Sequence, residues 1–319
     1  MLWPTSVTAQ EIVVAGSPVG SISDRNYARL FRELRANGIS TYFPTFQFQE
    51  VPRPKSLGFE TDFVAPCSPD DPAFQELRKS GVRLLIPGEF VYPDPHHIGH
   101  MPPAEDPLTQ IISCAGRDAI AGITNYDEAA FHGISLDAVA AFYARVKEID
   151  PSLPVLMVHG PIITDKRSFR SKRRISAYLE KVTTYSEHAD IVGFDIYPIP
   201  AMVAKIATPQ SGGAQVTPDR VVQDYMAWIN QALPNKRKLV VLQGFAYTNL
   251  YEATFLKANV PEAVRDAIKP PTPDEIAMMY NQASAAGAEM VVFWGTSSLP
   301  DSSTAPWPAI LELGRKHGP

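Results

Sequence analysis

The stretch from Ala119 to Pro198 decides the fold. It holds three short apolar runs, AIAGIT (119–124), VLMV (155–158) and IVGFDI (191–196), separated by two long amphipathic segments. Between the first two runs, Val139, Phe142, Val146 and Ile149 recur at helical spacing within Leu136–Ile149. Between the second two, Arg174–His188 reads as helix. The runs are apolar at nearly every position instead of alternating, as expected for strands covered on both faces. Strands that alternate with helices pair in parallel through crossovers.

The same unit extends outward in both directions. Towards the N-terminus, strands are expected at Ile12–Ala15, Ile39–Phe46 and Val82–Ile86. Ser23 and Asp24 stand where they can cap a first helix, whose apolar face is Tyr27, Leu30, Phe31 and Leu34. Further helices are expected at Pro72–Lys79 and Pro107–Ala115. Towards the C-terminus the strands are Leu239–Leu242 and Met290–Trp294, and the helices Asp219–Ala232, Pro273–Ala286 and Trp307–Arg315. Eight units in 319 residues predict an α/β fold, a single (β/α)8 TIM barrel with long loops on its C-terminal face, and one catalytic domain over residues 1–319. Those loops are 47–71, 87–106 and 198–217. An open doubly wound sheet is the runner-up, but no G-x-G-x-x-G or P-loop follows the first strand.

Composition excludes several function classes. The chain is 45% hydrophobic and 20% charged, with 34 acidic against 29 basic residues, so nucleic acid is not an expected partner. No run of about 20 apolar residues exists, so no membrane span is expected. Residues 1–10 lack a charged n-region and an apolar h-region, and the compartment stays open between cytoplasmic and secreted. Thirty prolines punctuate the loops. Two cysteines, Cys67 and Cys114, make no disulfide framework and have no metal-type spacing. The basic run Lys166 to Arg174 is expected on a solvated helix face. Oligomeric state is not legible.

In a parallel barrel the chemistry gathers where the strands end. Here the strand ends carry Thr45, Gln47 and Glu50, then Glu89, then Asn125, Tyr126, Asp127 and Glu128, then His159, then Asp195 and Tyr197, then Gln243 and Tyr247, then Trp294. Carboxylates and amides bind hydroxyls, and flat aromatics pack on the apolar face of a sugar ring. Gly-rich loops and clustered Arg and Lys, which a phosphate site would need, are scarce there.

The tracts IAGITNYDE (120–128), IVGFDIYP (191–198), VVLQGF (240–245) and VVFWGTSS (291–298) resemble strands four, six, seven and eight of the clan A glycoside hydrolases. The resemblance implies a glycoside hydrolase acting on an oligo- or polysaccharide, with its acid/base Glu at the end of strand four. Glu128 is that candidate, with Asp195 and Asp127 as further catalytic carboxylates. Only one of the adjacent pair Asp127 and Glu128 is expected to face the substrate. Glu89, Asn125, His159, Tyr197, Gln243, Tyr247 and Trp294 are the candidate carbohydrate-binding residues. The clan carries its nucleophile Glu at the end of strand seven, where this chain has Gln243; an amide is a poor nucleophile, which leans the reading towards inversion. No metal or cofactor is expected. Two alternatives are a non-catalytic carbohydrate-binding barrel and a metal-dependent hydrolase using the histidines of the His96–His100 loop.

Overall fold

Eight parallel strands close into a barrel, each hydrogen-bonded to its sequence neighbours, the last to the first. The structure is a computed structural model and describes residues 10–23, 25–44, 46–47, 58–59, 61–164, 166–250, 260–265 and 268–318. The strands are β1 (Glu11–Ala15), β2 (Thr41–Phe43), β3 (Arg83–Pro87), β4 (Ile120–Thr124), β5 (Val155–His159), β6 (Ile191–Ile196), β7 (Arg237–Gln243) and β8 (Met290–Trp294). The helices after each strand are α1 (Ala28–Ala36), α2 (Pro72–Ser80), α3 (Pro107–Ala115), α4 (Leu136–Ile149), α5 (Lys172–Tyr185), α6 (Pro218–Ala232), α7 (Pro273–Ala285) and α8 (Trp307–His317). The expected (β/α)8 barrel is therefore the observed fold.

Local chemistry sets the helix ends. Asp71, Asp106 and Ser135 each accept a backbone N–H from the first turn of α2, α3 and α4. Thr272 and Glu275 form a reciprocal capping box at α7. The first helix departs from expectation. It begins at Ala28 rather than at Ser23, and Asn26 Oδ1 accepts the Ala28 N–H at 3.0 Å. Asp24 lies outside the described residues. Strand β2 is also shorter than expected, because Pro44 has no N–H to continue the ladder.

Side chains alternate between two cores. Val13, Ala15, Leu85, Leu156, Ile191, Leu239, Val241, Met290 and Val292 fill the barrel, with Phe43, Val158, Tyr197 and Trp294 packed at their edge. The opposite face of each strand packs under the helices in the larger core, with Val14, Ile86, Met157, Val240 and Phe293. At Gly122 a side chain would collide with Leu156 Cδ1 at 2.6 Å and crowd the Pro154 carbonyl at 3.0 Å. At Gly193 it would strike the Leu239 carbonyl of the neighbouring strand at 2.1 Å.

The loops add three features. Ile162–Ile163, after β5, pairs antiparallel with Ile206–Ala207, after β6, and so joins those two loops. The basic run is not one helix face: Arg167–Phe169 forms a 3-10 turn and α5 begins only at Lys172. Cys67 and Cys114 are joined in a disulfide that ties the loop before α2 to the end of α3. Two cysteines too few for a framework still make one staple across 47 positions. Among the described residues no helix is long and apolar enough to cross a membrane.

Candidate active site

Residues of β2 to β8 and the turns that follow them enclose a cavity of about 310 Å³ at the C-terminal mouth of the barrel. Four carboxyl groups line it: Glu89, Asp127, Glu128 and Asp195. Each arrives by a different local route. Glu89 stands in a single helical turn, Gly88–Val91, immediately after β3. Its carboxylate accepts the backbone N–H of Asp127, which couples the two strand ends. Asp195 is the inward residue of β6, in register with inward Val241 on β7.

Asp127 and Glu128 both line the cavity, against the expectation that one of them would turn away. The reason is the backbone. Glu128 is in the left-handed region, with φ 42° and ψ 37°, which breaks the alternation that an extended chain would impose. A non-glycine residue held there is strained, and such strain gathers at functional sites. The Glu128 carboxylate accepts from His132 Nε2 at 3.2 Å, one turn along the short helix Ala129–His132. On its other side it packs against Gly160, where a Cβ would stand 2.8 Å from its carboxyl carbon.

The electrostatics follow from crowding four acids into a space with no lysine or arginine among its lining residues. Asp127 is pushed up to about 7 by the surrounding protein, then by the charges of Glu128 and Glu89. Its surface nevertheless opens onto the cavity, so water relieves part of that penalty until a ligand fills the space. Asp195 is held well above the usual carboxylate range by burial, then by the charges of Asp127 and Glu128. The Tyr197 hydroxyl hydrogen-bonds to it, and Asp195 Oδ1 has no partner in the protein. Glu89 is raised by burial, against the opposing pull of the Asp127 N–H and His132. His132 is raised by its hydrogen bond to Glu128, and the charges of Glu128, Asp127 and Glu89 add to that against desolvation.

Aromatic rings form one wall. Trp294 and Tyr197 stack with ring centres 5.6 Å apart and planes 18° apart, and both are partly exposed to the cavity. Phe245 packs edge-on behind both. Tyr247 lies behind this wall, its hydroxyl donating to the Tyr197 carbonyl at 2.8 Å.

The remaining expected residues stand away from the cavity or border it with their side chains engaged elsewhere. Asn125 borders it, but its amide donates to the Val139 carbonyl of α4 and accepts the Tyr126 N–H. His159 is the outward residue of β5. It is buried, meets Ser186 Oγ at 2.9 Å through Nε2, and is pushed down to about 3 by burial, so it is neutral. Gln243 is buried behind the wall. Its Oε1 accepts the Ile199 N–H, and its Nε2 donates to the carbonyls of Ile199 and Phe245. Both of its polar atoms are engaged in this clamp between the β6 and β7 loops. Thr45 and Glu50 lie outside the described residues, as does the Gln47 side chain.

Sequence reasoning missed His132, Phe43 and Phe90, all of which line the cavity. For His132 the signal was present, since a residue four after Glu128 faces it once the turn is helical. The two aromatics carried none, because apolar residues at strand ends usually pack as core. In the His96–His100 loop, Pro95–His97 is a 3-10 turn capped by Asp94, and His96 and His100 are exposed. Among the described residues no group of three His, Cys, Asp or Glu is arranged to hold a metal ion. The His97 side chain lies outside them.

No family model and no curated protein matches the sequence. Solved structures do match in shape. A provisionally assigned α-L-fucosidase from Bacteroides thetaiotaomicron VPI-5482 aligns at TM-score 0.55 and 14% identity, over 99% of this chain and 95% of that one. A β-galactosidase from the psychrophilic Marinomonas ef1 aligns at 0.54 and 11%, over 96% of this chain and 59% of that one. The exo-β-1,4-mannosidase Op5Man5 from Opitutaceae bacterium strain TAV5 aligns at 0.50 and 13%, over 97% of this chain and 60% of that one. At these identities the likeness is one of fold, and the fold is the (β/α)8 barrel that these glycosidases share with this chain.

Proposed function

We propose that the chain is a glycoside hydrolase, a catalytic barrel that cleaves a glycosidic bond in an oligo- or polysaccharide by carboxylate acid–base chemistry. The observation that supports it best is the cavity itself. Four carboxyl groups from three strand ends meet beside a stacked Trp294–Tyr197 wall, and burial and neighbouring charge push one of them, Asp127, up to about 7. The shape shared with glycosidases raises the expectation without identifying the reaction.

The chemistry assigns roles. A general acid needs a pKa near the working pH and access to the leaving oxygen. Asp127 has both, so it protonates the glycosidic oxygen. Glu128, fixed between His132 and Gly160, takes a proton from the attacking water. Sequence alone favoured Glu128 as the acid and Asp195 as the second carboxylate, base or nucleophile. In this reading Asp195 keeps its own proton and holds the Tyr197 ring through the phenol hydroxyl. Gln243, engaged in its clamp, supplies no nucleophile, which keeps inversion as the expectation; inversion requires the Asp127 and Glu128 carboxyls to flank the sugar with room for a water between them.

Reducing-sugar release over a panel of neutral and charged glycans tests the activity, with proton NMR of the first-formed anomer on any glycan cleaved. Turnover with inversion is expected. Glycan binding without turnover would instead favour a binding barrel, and a retained anomer would require a covalent nucleophile.

A further inference from the structure

The segment Lys166–Arg174 reads KRSFRSKRR: six cations in nine residues with no acid among them, in a chain of net charge −5. Lys166, Arg167, Arg170, Lys172, Arg173 and Arg174 are all exposed. Among the described residues, none of the six forms an ion pair. Elsewhere on the surface Arg25, Arg83, Arg117, Lys147, Arg220, Arg237 and Arg315 are each matched by a carboxylate. The basic segment is thus a dense cluster of unpaired cations in an acidic chain, and its cations repel one another.

Its position joins it to the cavity. The segment leaves the C-terminal end of β5, the same barrel end as the carboxylates. Phe169 within it stacks on Phe131 at 6.0 Å, and Lys166 Nζ lies 5.8 Å over that same Phe131 ring. Phe131 in turn packs edge-on against His132, a cavity-lining residue. A continuous path therefore runs from the carboxylates through His132 and Phe131 to the cations. The segment is also held firmly. Arg174 donates to the Arg167 carbonyl at 2.5 Å, and the Phe169 ring is buried against Tyr178 of α5.

We propose that this basic segment is a binding site for an anionic glycan, a polysaccharide bearing carboxylate or sulfate groups, whose chain extends from the cavity along Phe131 to the cations. This rests on the glycosidase reading of the cavity and adds the substrate class. The cavity is lined by acids and lacks lysine and arginine, so the residue being cleaved is a neutral one. The anionic groups fall on the flanking sugars, outside the cavity.

The test is binding by titration calorimetry at about 0.05 M salt, where surface charges act over more than 10 Å. The probes are a polysaccharide in which neutral sugars alternate with uronates, a neutral glucan of similar length and a DNA duplex of matched charge. Wild type is expected to bind the alternating polymer more tightly than either of the others. The triple substitution Arg167→Ser, Arg170→Ser and Arg173→Ser is expected to weaken that binding about 100-fold. It should leave the melting temperature and the turnover of a short neutral glycoside unchanged. Unchanged affinity in the triple variant, or equal or tighter binding of the duplex, would overturn the proposal. Because binding is read without turnover, failure of the glycosidase reading shows separately, as polymer binding with no hydrolysis of any glycan.

Discussion

The residue on which the proposed chemistry turns is Asp127. Protein mass, Glu128 and Glu89 push its carboxyl up to about 7, while its surface stays open to the cavity. If it is the proton donor, kcat/KM holds below about pH 7 and falls about tenfold per unit above it. A pH–rate profile should show this falling limb in wild type, and Asp127→Asn should lose both the limb and most of the activity. A wild-type profile flat to pH 9 would remove Asp127 from the role. The same shift has a stability consequence with a definite sign. A raised folded-state pKa favours the protonated fold, so that contribution is complete below the ordinary Asp range and fades as pH rises towards about 7. At this scale the sequence was partly legible. An Asp-Glu pair at a strand end marked the site, but its joint orientation depended on one positive φ at Glu128, which no periodicity encodes. Asp195 was legible as a carboxyl inside an apolar strand. Its Tyr197 partner was read only as a ring for sugars.

Between elements, the clamp at Gln243 shows how strand-end residues serve structure. Its amide bonds Ile199 on both polar atoms and also reaches the Phe245 carbonyl, and so fixes the β6 and β7 loops behind the Tyr197–Trp294 wall. Gln243→Glu would place an acid where clan A enzymes carry a nucleophile, yet it removes two donated hydrogen bonds and buries a charge. It should lower stability by about 2–4 kcal/mol and create no activity, as read by denaturant unfolding and turnover. Stability equal to wild type would mean the amide is not the clamp. This role was not legible, because a glutamine after an apolar run looks identical whether it points to solvent or to a neighbouring loop. Helix ends, by contrast, were legible wherever Pro, Asp, Ser or Gly fixed them, as at Pro72, Pro107 and Ser135. Strand β2 was overextended because Ile39–Phe46 keeps its apolar pattern past Pro44, where the ladder stops.

Across the whole molecule, the order of elements came directly from composition. Runs apolar on both faces, alternating with amphipathic segments, leave a closed parallel barrel as the arrangement that buries both. What composition hides is contact between distant loops. The Cys67–Cys114 bond crosses 47 positions, and neither spacing nor local pattern announced it. Chain-entropy arguments place its contribution at up to about 4 kcal/mol. Cys67→Ser should therefore lower the melting temperature by several degrees while leaving kcat intact, since the bond is remote from the cavity lining. No change in melting temperature would mean the loop is held without it. The central claim is that the carboxylates at the barrel mouth hydrolyse a glycosidic bond. Its most direct test is the turnover of a cleaved glycan by Glu128→Gln, whose amide keeps the size and loses the ionisable group. The account predicts a loss of about 10² to 10⁴-fold with the melting temperature retained, whereas a loss below about tenfold would contradict it.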